Sequence, residues 1–263
     1  MSSGGRRLMK LSMPLLGVLV VIVIALSAAN SRSADESGAG TEASARHFST
    51  LPEAVRATSG PLEFGGASVP ALRGGNSVAL TFDDGPHPTY TPQVLDLLAE
   101  HEVRAVFCVV GVQVRQHPEL VRRIVDDGHT LCNHTENHDS ELAKRSPEKI
   151  DEEIAATAGA IAEAAGDAPV RFFRQPARYV APEVAPIAEE HGLTLLDWTV
   201  DSQDWKRPGA SEIVARVADG LQPGAVVLLH DGGGDRSQTV TALDEILVLI
   251  EESGYRATVP VSS

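Results

Sequence analysis

Two adjacent carboxylates are the first feature of the sequence with a chemical meaning. Asp83 and Asp84 follow the apolar run "VALTF" and are themselves followed at once by glycine and proline. Neighbouring carboxylates repel each other, and the end of an apolar strand offers little water to weaken that repulsion. A bound cation would hold both in place. The pair therefore predicts a metal site whose other ligands lie elsewhere in the chain.

A pair of histidines supplies candidate ligands. His134 and His138 are four residues apart, so on one helical turn both imidazoles would lie on the same face and reach one ion. Alone the spacing is a weak signal, because such pairs are often solvated or act as caps. The zinc-protease motif is disfavoured because it needs Glu directly after the first histidine, where Thr135 stands. Two histidines with one aspartate of the pair would leave positions open for water and substrate, and the other aspartate could take a proton.

More polar side chains end other predicted strands. His230 ends "AVVLLH" and could be a general acid, although a histidine bonded to loop carbonyls is the simpler reading of that residue alone. Arg174 ends "VRFFR" and could orient a carboxylate. Asp201 and Asp204 could each cap a turn, or Asp204 could set the tautomer and basicity of a catalytic histidine. Trp205 could simply fill the core.

Short apolar runs alternate with amphipathic helical stretches and define the expected fold. The runs are 78–82, 105–110, 130–134, 170–174, 193–200, 225–230 and 255–259. Ser or Thr followed by Pro marks helix starts, as at Ser146-Pro147, and Gly marks helix ends. Strand–helix alternation repeated about seven times predicts an α/β fold with a parallel sheet, either doubly wound or closed as a barrel. No glycine-rich phosphate loop follows the first strand, which disfavours a nucleotide-binding fold.

The N-terminal region has the composition of an export signal and a linker. Its first residues are basic, an apolar run covers residues 14–29, and small residues follow. We interpret residues 1–30 as a signal peptide or membrane anchor, 31–75 as a flexible linker and lead-in, and 76–260 as the catalytic domain. The protein is therefore expected to be secreted or anchored at the outer face of the cytoplasmic membrane or cell wall.

Charge and cysteine content narrow the function further. The formal charge is −14, and residues 1–29 hold three positive and no negative charges, so the remainder carries about −17. This balance argues against nucleic acid as a partner and favours a neutral or locally basic substrate. The two cysteines, Cys108 and Cys132, fall on predicted adjacent strands, where they could be free buried thiols or a disulfide.

Together and in this order, the motifs resemble those of one family, the polysaccharide deacetylases (NodB-like, carbohydrate esterase family 4). The resemblance covers about residues 77–259 and rests on "TFDDGP" (81–86), "HTENH" (134–138), "RQP" (174–176), "DSQDW" (201–205) and "LLH" (228–230). It implies a single distorted (β/α)7-type barrel with parallel strands. It also implies metal-dependent removal of N- or O-acetyl groups from a carbohydrate, with Zn²⁺ as the expected ion and Co²⁺ or another divalent ion as alternatives.

The resemblance also implies a role for each matched residue. The expected metal ligands are Asp84, His134 and His138, and the general base is Asp83. In the same way, the residues implied around them are Arg174 to brace the base, His230 as the general acid, Asp204 to tune that acid, Ala177 to donate its backbone N–H to the oxyanion, and Trp205 and Leu228 as apolar walls.

One motif departs from the family pattern. Pro176 is followed by Ala177 and Arg178, where the family usually has an aromatic residue and a glycine; Tyr179 could replace the aromatic one residue late. The departure bears on substrate preference more than on catalysis, because the oxyanion contact needs only a backbone N–H. The expected substrate is peptidoglycan or a chitin-type N-acetylglucosamine polymer, with acetylxylan open. The alternatives are a catalytically silent glycan-binding or cell-wall-binding protein on the same fold, and a metal hydrolase of another amide or formyl group.

Overall fold

A computed structural model describes residues 62–64, 67–177 and 179–262. The predicted leader 1–30 with its apolar run 14–29, most of the predicted linker, and Arg178 lie outside these residues. Within the described ranges, no helix combines the length and the apolar character needed to cross a membrane.

The core of the protein is a parallel sheet of short apolar strands. After a hairpin of β1 (Leu62–Phe64) and β2 (Ala67–Val69), the strands are β3 (Ser77–Asp83), β4 (Val106–Val109), β5 (Thr130–Asn133), β6 (Val170–Phe173), β7 (Thr194–Leu195), β8 (Val200–Asp201), β9 (Val226–His230) and β10 (Arg256–Ala257). The order is β7-β6-β5-β4-β3-β9-β8, and β10 pairs with the start of β3. The sheet curls into a half-barrel, which confirms the predicted (β/α)7-type fold.

Helices cover the outer face of this sheet. They are α1 (Tyr90–Glu100), α2 (Gly111–Gln116), α3 (Pro118–Asp126), α4 (Pro147–Ala165), α5 (Ala185–Glu190), α6 (Ala210–Gly220) and α7 (Ser237–Glu252). Helix α4 begins as predicted, with Pro147 in its first turn and the Ser146 hydroxyl accepting the Lys149 N–H at 3.4 Å.

Strand β3 is buried on both faces, and its side chains point alternately toward the helices and toward the inside of the barrel. Val78, Leu80 and Phe82 pack in the apolar layer shared with the helices, whereas Ala79 belongs to the cluster inside the barrel. Because side chains alternate along a strand, Asp83 also points inward, at the carboxyl end of β3. The register places Asp83 beside His230 of β9.

The run 193–200, predicted as one strand, is two short strands separated by residues 196–199. The Leu196 N–H donates to Phe173 on β6, whereas the Thr199 N–H donates to Val226 on β9. The chain therefore crosses from one end of the sheet order to the other within four residues, and a continuous strand cannot make that crossing. Asp197 lies at the crossing and is fully buried.

Cys108 and Cys132 form a disulfide, the alternative that the sequence left open. The parallel register of β4 and β5 pairs these two residues directly, and both side chains lie in the cluster inside the barrel. The bond therefore joins neighbouring strands beneath the polar rim.

Removing this disulfide is expected to lower stability. Replacing both cysteines with Ala should reduce the free energy of unfolding by about 3 kcal/mol. The bond links residues 24 apart in sequence and so restricts the conformations open to the unfolded chain. Urea unfolding of the variant and of the wild type, each with and without reductant, measures the change. Equal stability of the oxidised wild type and the variant would contradict the prediction.

Candidate active site

The carboxyl ends of the strands surround one pocket of about 260 Å³. Eight of the predicted site residues line it, together with two others: Asp83, Asp84, His134, His138, Ala177, Trp205, Leu228 and His230, with Trp198 and Asp201. The remaining two predicted residues, Arg174 and Asp204, are buried behind the wall and contact Asp83 and His230. The structure thus brings every predicted site residue together.

Asp84, His134 and His138 form a compact ligand set. Their candidate ligand atoms all lie within 4.8 Å of one another. Asp84 Oδ1 lies 3.1 Å from His138 Nε2 and 3.5 Å from His134 Nε2. The His134 ring is oriented from behind, because its Nδ1 lies 2.8 Å from the Arg174 carbonyl oxygen and so directs Nε2 into the pocket.

The two histidines converge through a loop, not through the helical turn that their spacing suggested. Residues 134–138 are not helical, and Thr135 and His138 have φ angles of 66° and 53°. The loop is fixed by the Asn133 side chain, which accepts the Thr135 N–H at 3.0 Å. At its other end, the buried Glu153 carboxylate accepts the Asn137 N–H at 2.9 Å. Spacing alone could not reveal these contacts.

The environment of Asp84 fits a cation. Its Oδ1 atom is buried and has no hydrogen-bond partner among the described residues. Burial opposes ionisation, but the adjacent imidazoles of His134 and His138 outweigh it and hold the pKa of Asp84 well below its usual range. An ionised, unpaired oxygen facing two imidazole nitrogens is a donor set suited to Zn²⁺.

Asp83 is held by a buried arginine. Arg174 Nη1 donates to Asp83 Oδ1 at 2.7 Å and to Thr81 Oγ1 at 2.9 Å. The rest of the guanidinium is used as well, since Nε donates to the Leu196 carbonyl at 2.8 Å. Because Asp83 Oδ1 is taken by Arg174, Oδ2 is the oxygen left for a substrate or water proton.

His230 and Asp204 form a second buried pair. Asp204 Oδ1 lies 2.7 Å from His230 Nδ1, and Asp204 Oδ2 accepts the His230 N–H and the Thr239 hydroxyl, each at 2.8 Å. Burial alone would lower the pKa of His230, but the hydrogen bond and charge of Asp204, with smaller effects of Asp83 and Asp84, raise it to about 9. His230 is therefore protonated at neutral pH, with Nε2 as the remaining N–H.

Apolar and backbone groups complete the pocket. Leu228 is buried, whereas Trp205 is 49% exposed, with the Lys206 ammonium 4.7 Å from its ring centroid. Ala177 has a φ of 64°, unusual for a residue other than glycine. Among the described residues, no acceptor is paired with the Ala177 N–H.

Trp198 was not predicted as a site residue from the sequence. This residue lines the pocket, packs against Tyr179 with ring centroids 4.8 Å apart, and covers the Arg174 guanidinium at 5.6 Å. It was hidden because it lies in the run that was predicted as a single strand. Asp201 also lines the pocket while its Oδ1 accepts the Gln203 N–H at 2.8 Å, the turn contact considered for it.

Asp197 and Asp231 are two further buried carboxyl groups beside the site that the motifs did not reveal. The Asp197 carboxylate accepts N–H groups from Ser68 at 2.6 Å and Val180 at 3.0 Å, which joins β2 to the loop containing Ala177. Burial raises the pKa of Asp231 to about 7. What distinguishes Asp197 and Asp231 from other acidic residues is their burial beside the site, and burial cannot be read from a single sequence.

Comparisons with known proteins place this site in a family. The family model for polysaccharide deacetylase matches residues 73–196. A peptidoglycan-N-acetylglucosamine deacetylase of Bacillus cereus is 42% identical over 181 residues, covering 68% of this chain and 84% of that protein. A chitooligosaccharide deacetylase of a Bradyrhizobium species is 40% identical over 195 residues, covering 70% and 89%.

A solved structure shows the same likeness in three dimensions. The family 4 carbohydrate esterase from Streptomyces lividans, solved in complex with acetate, superposes with a TM-score of 0.65 at 33% identity, covering 70% of this chain and 92% of that one. On fold, sequence and relatives together, this chain belongs to the polysaccharide deacetylase family, carbohydrate esterase family 4, and is a hydrolase acting on carbon–nitrogen bonds other than peptide bonds.

Proposed function

We propose that this protein is an exported, metal-dependent deacetylase that removes N-acetyl groups from N-acetylglucosamine units of peptidoglycan or a chitin-type polymer. The observation that carries the proposal is the meeting, in one pocket, of the Asp84–His134–His138 cluster with the Asp83–Arg174 and His230–Asp204 pairs. A binding module would have no need for both proton-transfer pairs beside a ligand set.

The proposed metal ligands are Asp84, His134 and His138. Two imidazole nitrogens and one carboxylate oxygen favour Zn²⁺, with Co²⁺ as the alternative. When bound, such an ion supplies Lewis-acid polarisation and lowers the pKa of water, which makes a nucleophile available near neutral pH.

Asp83 is the proposed general base. It takes a proton from the attacking water on Oδ2, while Arg174 holds Oδ1 and keeps the carboxylate from rotating. Water attacks the acetyl carbonyl carbon, and the carbonyl oxygen gains negative charge. We assign stabilisation of that charge in part to the Ala177 N–H, a contact that needs no side chain. Trp205 and Leu228 would enclose the acetyl methyl group.

His230 is the proposed general acid. Its Nδ1 is held by Asp204, so Nε2–H is the proton available to the departing sugar nitrogen. Collapse of the tetrahedral intermediate breaks the carbon–nitrogen bond, leaving acetate and the free amine. Before the next turnover Asp83 releases the proton that it took from water and His230 regains the proton that it gave to the nitrogen, so the net products are the free amine, acetate and one proton.

Replacing Asp204 with Asn should move the alkaline limit of activity. Loss of the carboxylate removes the largest influence that raises the pKa of His230, whereas burial, which lowers it, stays. We expect the alkaline limb of the kcat/KM profile to move to lower pH by more than about one unit. A series of rates from pH 5 to 10 measures it, and an unmoved limb would contradict the assignment of His230 as the acid.

The His230–Asp204 pair should also make the stability of the fold depend on pH. The folded pKa of His230 lies above its ordinary value of 6.5, so the pair stabilises the fold fully below about pH 6.5. That contribution is lost as the pH rises through about 9. Urea unfolding of the Asp204→Asn variant should therefore depend less on pH in this window than that of the wild type.

Acetate release from defined polymers tests the function. Residues 31–263 would be incubated with peptidoglycan, N-acetylglucosamine oligomers and acetylxylan, with and without added Zn²⁺ or Co²⁺. Metal-dependent release from either N-acetylated substrate supports the proposal, and release from acetylxylan alone would replace N-acetyl with O-acetyl groups. Bound metal with no acetate from any substrate would favour a glycan-binding protein or a hydrolase of another amide.

A further inference from the structure

Asp231 is a buried acid that the proposed mechanism does not use. It follows His230 directly and is 1% exposed. Its Oδ2 accepts the Thr91 hydroxyl at 2.5 Å, and its Oδ1 is buried without a hydrogen-bond partner among the described residues. A buried carboxyl group with one unused oxygen is costly, which calls for a reason beyond packing.

The Asp231 carboxyl group lies directly against Gly85. A Cβ atom added to Gly85 would be within 2.7 Å of three carboxyl atoms of Asp231. Gly85 follows Asp84, whose φ of 72° is a backbone conformation that must be held by its surroundings. Asp231 therefore occupies the space beside Gly85 where a side chain would otherwise lie, and Gly232, the next residue, lies against the peptide that joins Asp84 to Gly85.

Thr91 connects Asp231 to the other end of the segment between β3 and α1. Its hydroxyl oxygen accepts the His87 N–H at 2.7 Å while its proton goes to Asp231. Thr91 is fully buried in the first turn of α1. One carboxyl group thus braces both ends of the segment between β3 and α1.

The residues that follow Asp231 close around Asp84 from the other side. The Asp231 and Gly232 N–H groups donate to the Asp83 carbonyl at 3.1 and 3.3 Å. A Cβ atom on Gly233 would be within 3.1 Å of three side-chain atoms of Asp84. The 231–233 segment therefore limits where both the backbone and the carboxylate of Asp84 can lie.

We infer that Asp231 is a positioning residue of the metal centre, which fixes the Asp84–Gly85 peptide through its contacts with Gly85 and Thr91 and so aims Asp84 Oδ1 at His134 and His138. This inference rests on the proposed function, because it concerns the affinity for the proposed ion. It assigns to Asp231 no contact with substrate.

Zinc affinity, measured by competition with a chromogenic chelator, tests the inference independently of activity. Asp231→Ala should weaken Zn²⁺ binding by about 10- to 100-fold. Asp231→Asn retains the shape and the acceptor for Thr91, and its affinity should stay within about threefold of the wild type. Thr91→Val should weaken binding and Thr91→Ser should restore it, which provides a second pair if Asp231→Ala does not fold. At saturating Zn²⁺, kcat of Asp231→Ala should return to within several-fold of the wild type.

His129→Ala is the matched control. His129 is also buried and hydrogen-bonded, with Nδ1 accepting the Ala105 N–H at 3.1 Å, but it precedes β5, whereas His134 follows that strand. It should lose stability without losing zinc affinity.

Three results would each overturn the inference: wild-type zinc affinity in folded Asp231→Ala, equal loss of zinc affinity in Asp231→Asn and Asp231→Ala, or an equal loss in His129→Ala. If the wild type itself neither binds zinc nor releases acetate, the proposed function fails too; if it does both while Asp231→Ala is unaffected, only the positioning role fails.

Discussion

Replacing Asp83 with Asn should lower kcat by about 10²- to 10⁴-fold while bound zinc stays near one ion per chain. The amide cannot accept the proton of the attacking water, yet it keeps an oxygen for the 2.7 Å contact with Arg174. The ligand set Asp84, His134 and His138 is untouched. The measurement combines steady-state acetate release with elemental analysis of metal in the purified variant.

The control for this variant is an equivalent change away from the pocket. Asp126, an exposed carboxylate at the end of α3, can be replaced with Asn and should leave kcat and metal content unchanged. Near-normal turnover in Asp83→Asn would remove Asp83 from the role of base. Loss of metal along with turnover would instead make Asp83 a ligand.

Replacing Asp84 with Ala should abolish activity by a different route. The variant loses the only carboxylate of the ligand set, so zinc affinity should fall by more than about 100-fold, beyond what loss of a supporting contact costs. Residual acetate release should match that of wild-type protein treated with a chelator. Added Zn²⁺ should restore the treated wild type but not the variant at the same metal concentration.

The Asp84→Ala variant is expected to remain folded. Removing the carboxylate leaves His134 and His138 beside each other without the group that raises the pKa of His138. That should favour neutral imidazoles and should not by itself unfold the barrel. Circular dichroism and the urea midpoint check this. Full zinc affinity in a folded Asp84→Ala variant would show that other residues hold the ion.

Much of the site was predictable because it depends on where strands end. Parallel strands present their carboxyl ends at one edge, so Asp83, His134, Arg174 and His230 could be placed together from apolar runs followed by polar residues. The resemblance to the family then implied which aspartate to expect as ligand and which as base, a distinction that spacing alone could not make. The fold followed from the same alternation of strands and helices.

What could not be predicted depends on contacts between distant segments. Thr135 and His138 have left-handed backbone conformations in a loop that Asn133 holds at Thr135 and Glu153 holds at Asn137, and nothing in a four-residue spacing signals a loop of that shape. The crossing at residues 196–199 looked like part of a strand because the run 193–200 around it is mostly apolar. Asp231 is informative only once Gly85 and Thr91 are known to face it.

The joint between Ser68 and Asp197 sets a limit on how far the chain can be shortened. Asp197 donates its N–H to the Ser68 carbonyl at 2.7 Å and receives the Ser68 N–H on its carboxylate at 2.6 Å. A fragment starting at residue 76 would leave a fully buried carboxylate with one donor fewer, at a cost of about 1–3 kcal/mol, beside the loop that contains Ala177. A fragment for expression or engineering that begins before residue 67 keeps both of these hydrogen bonds.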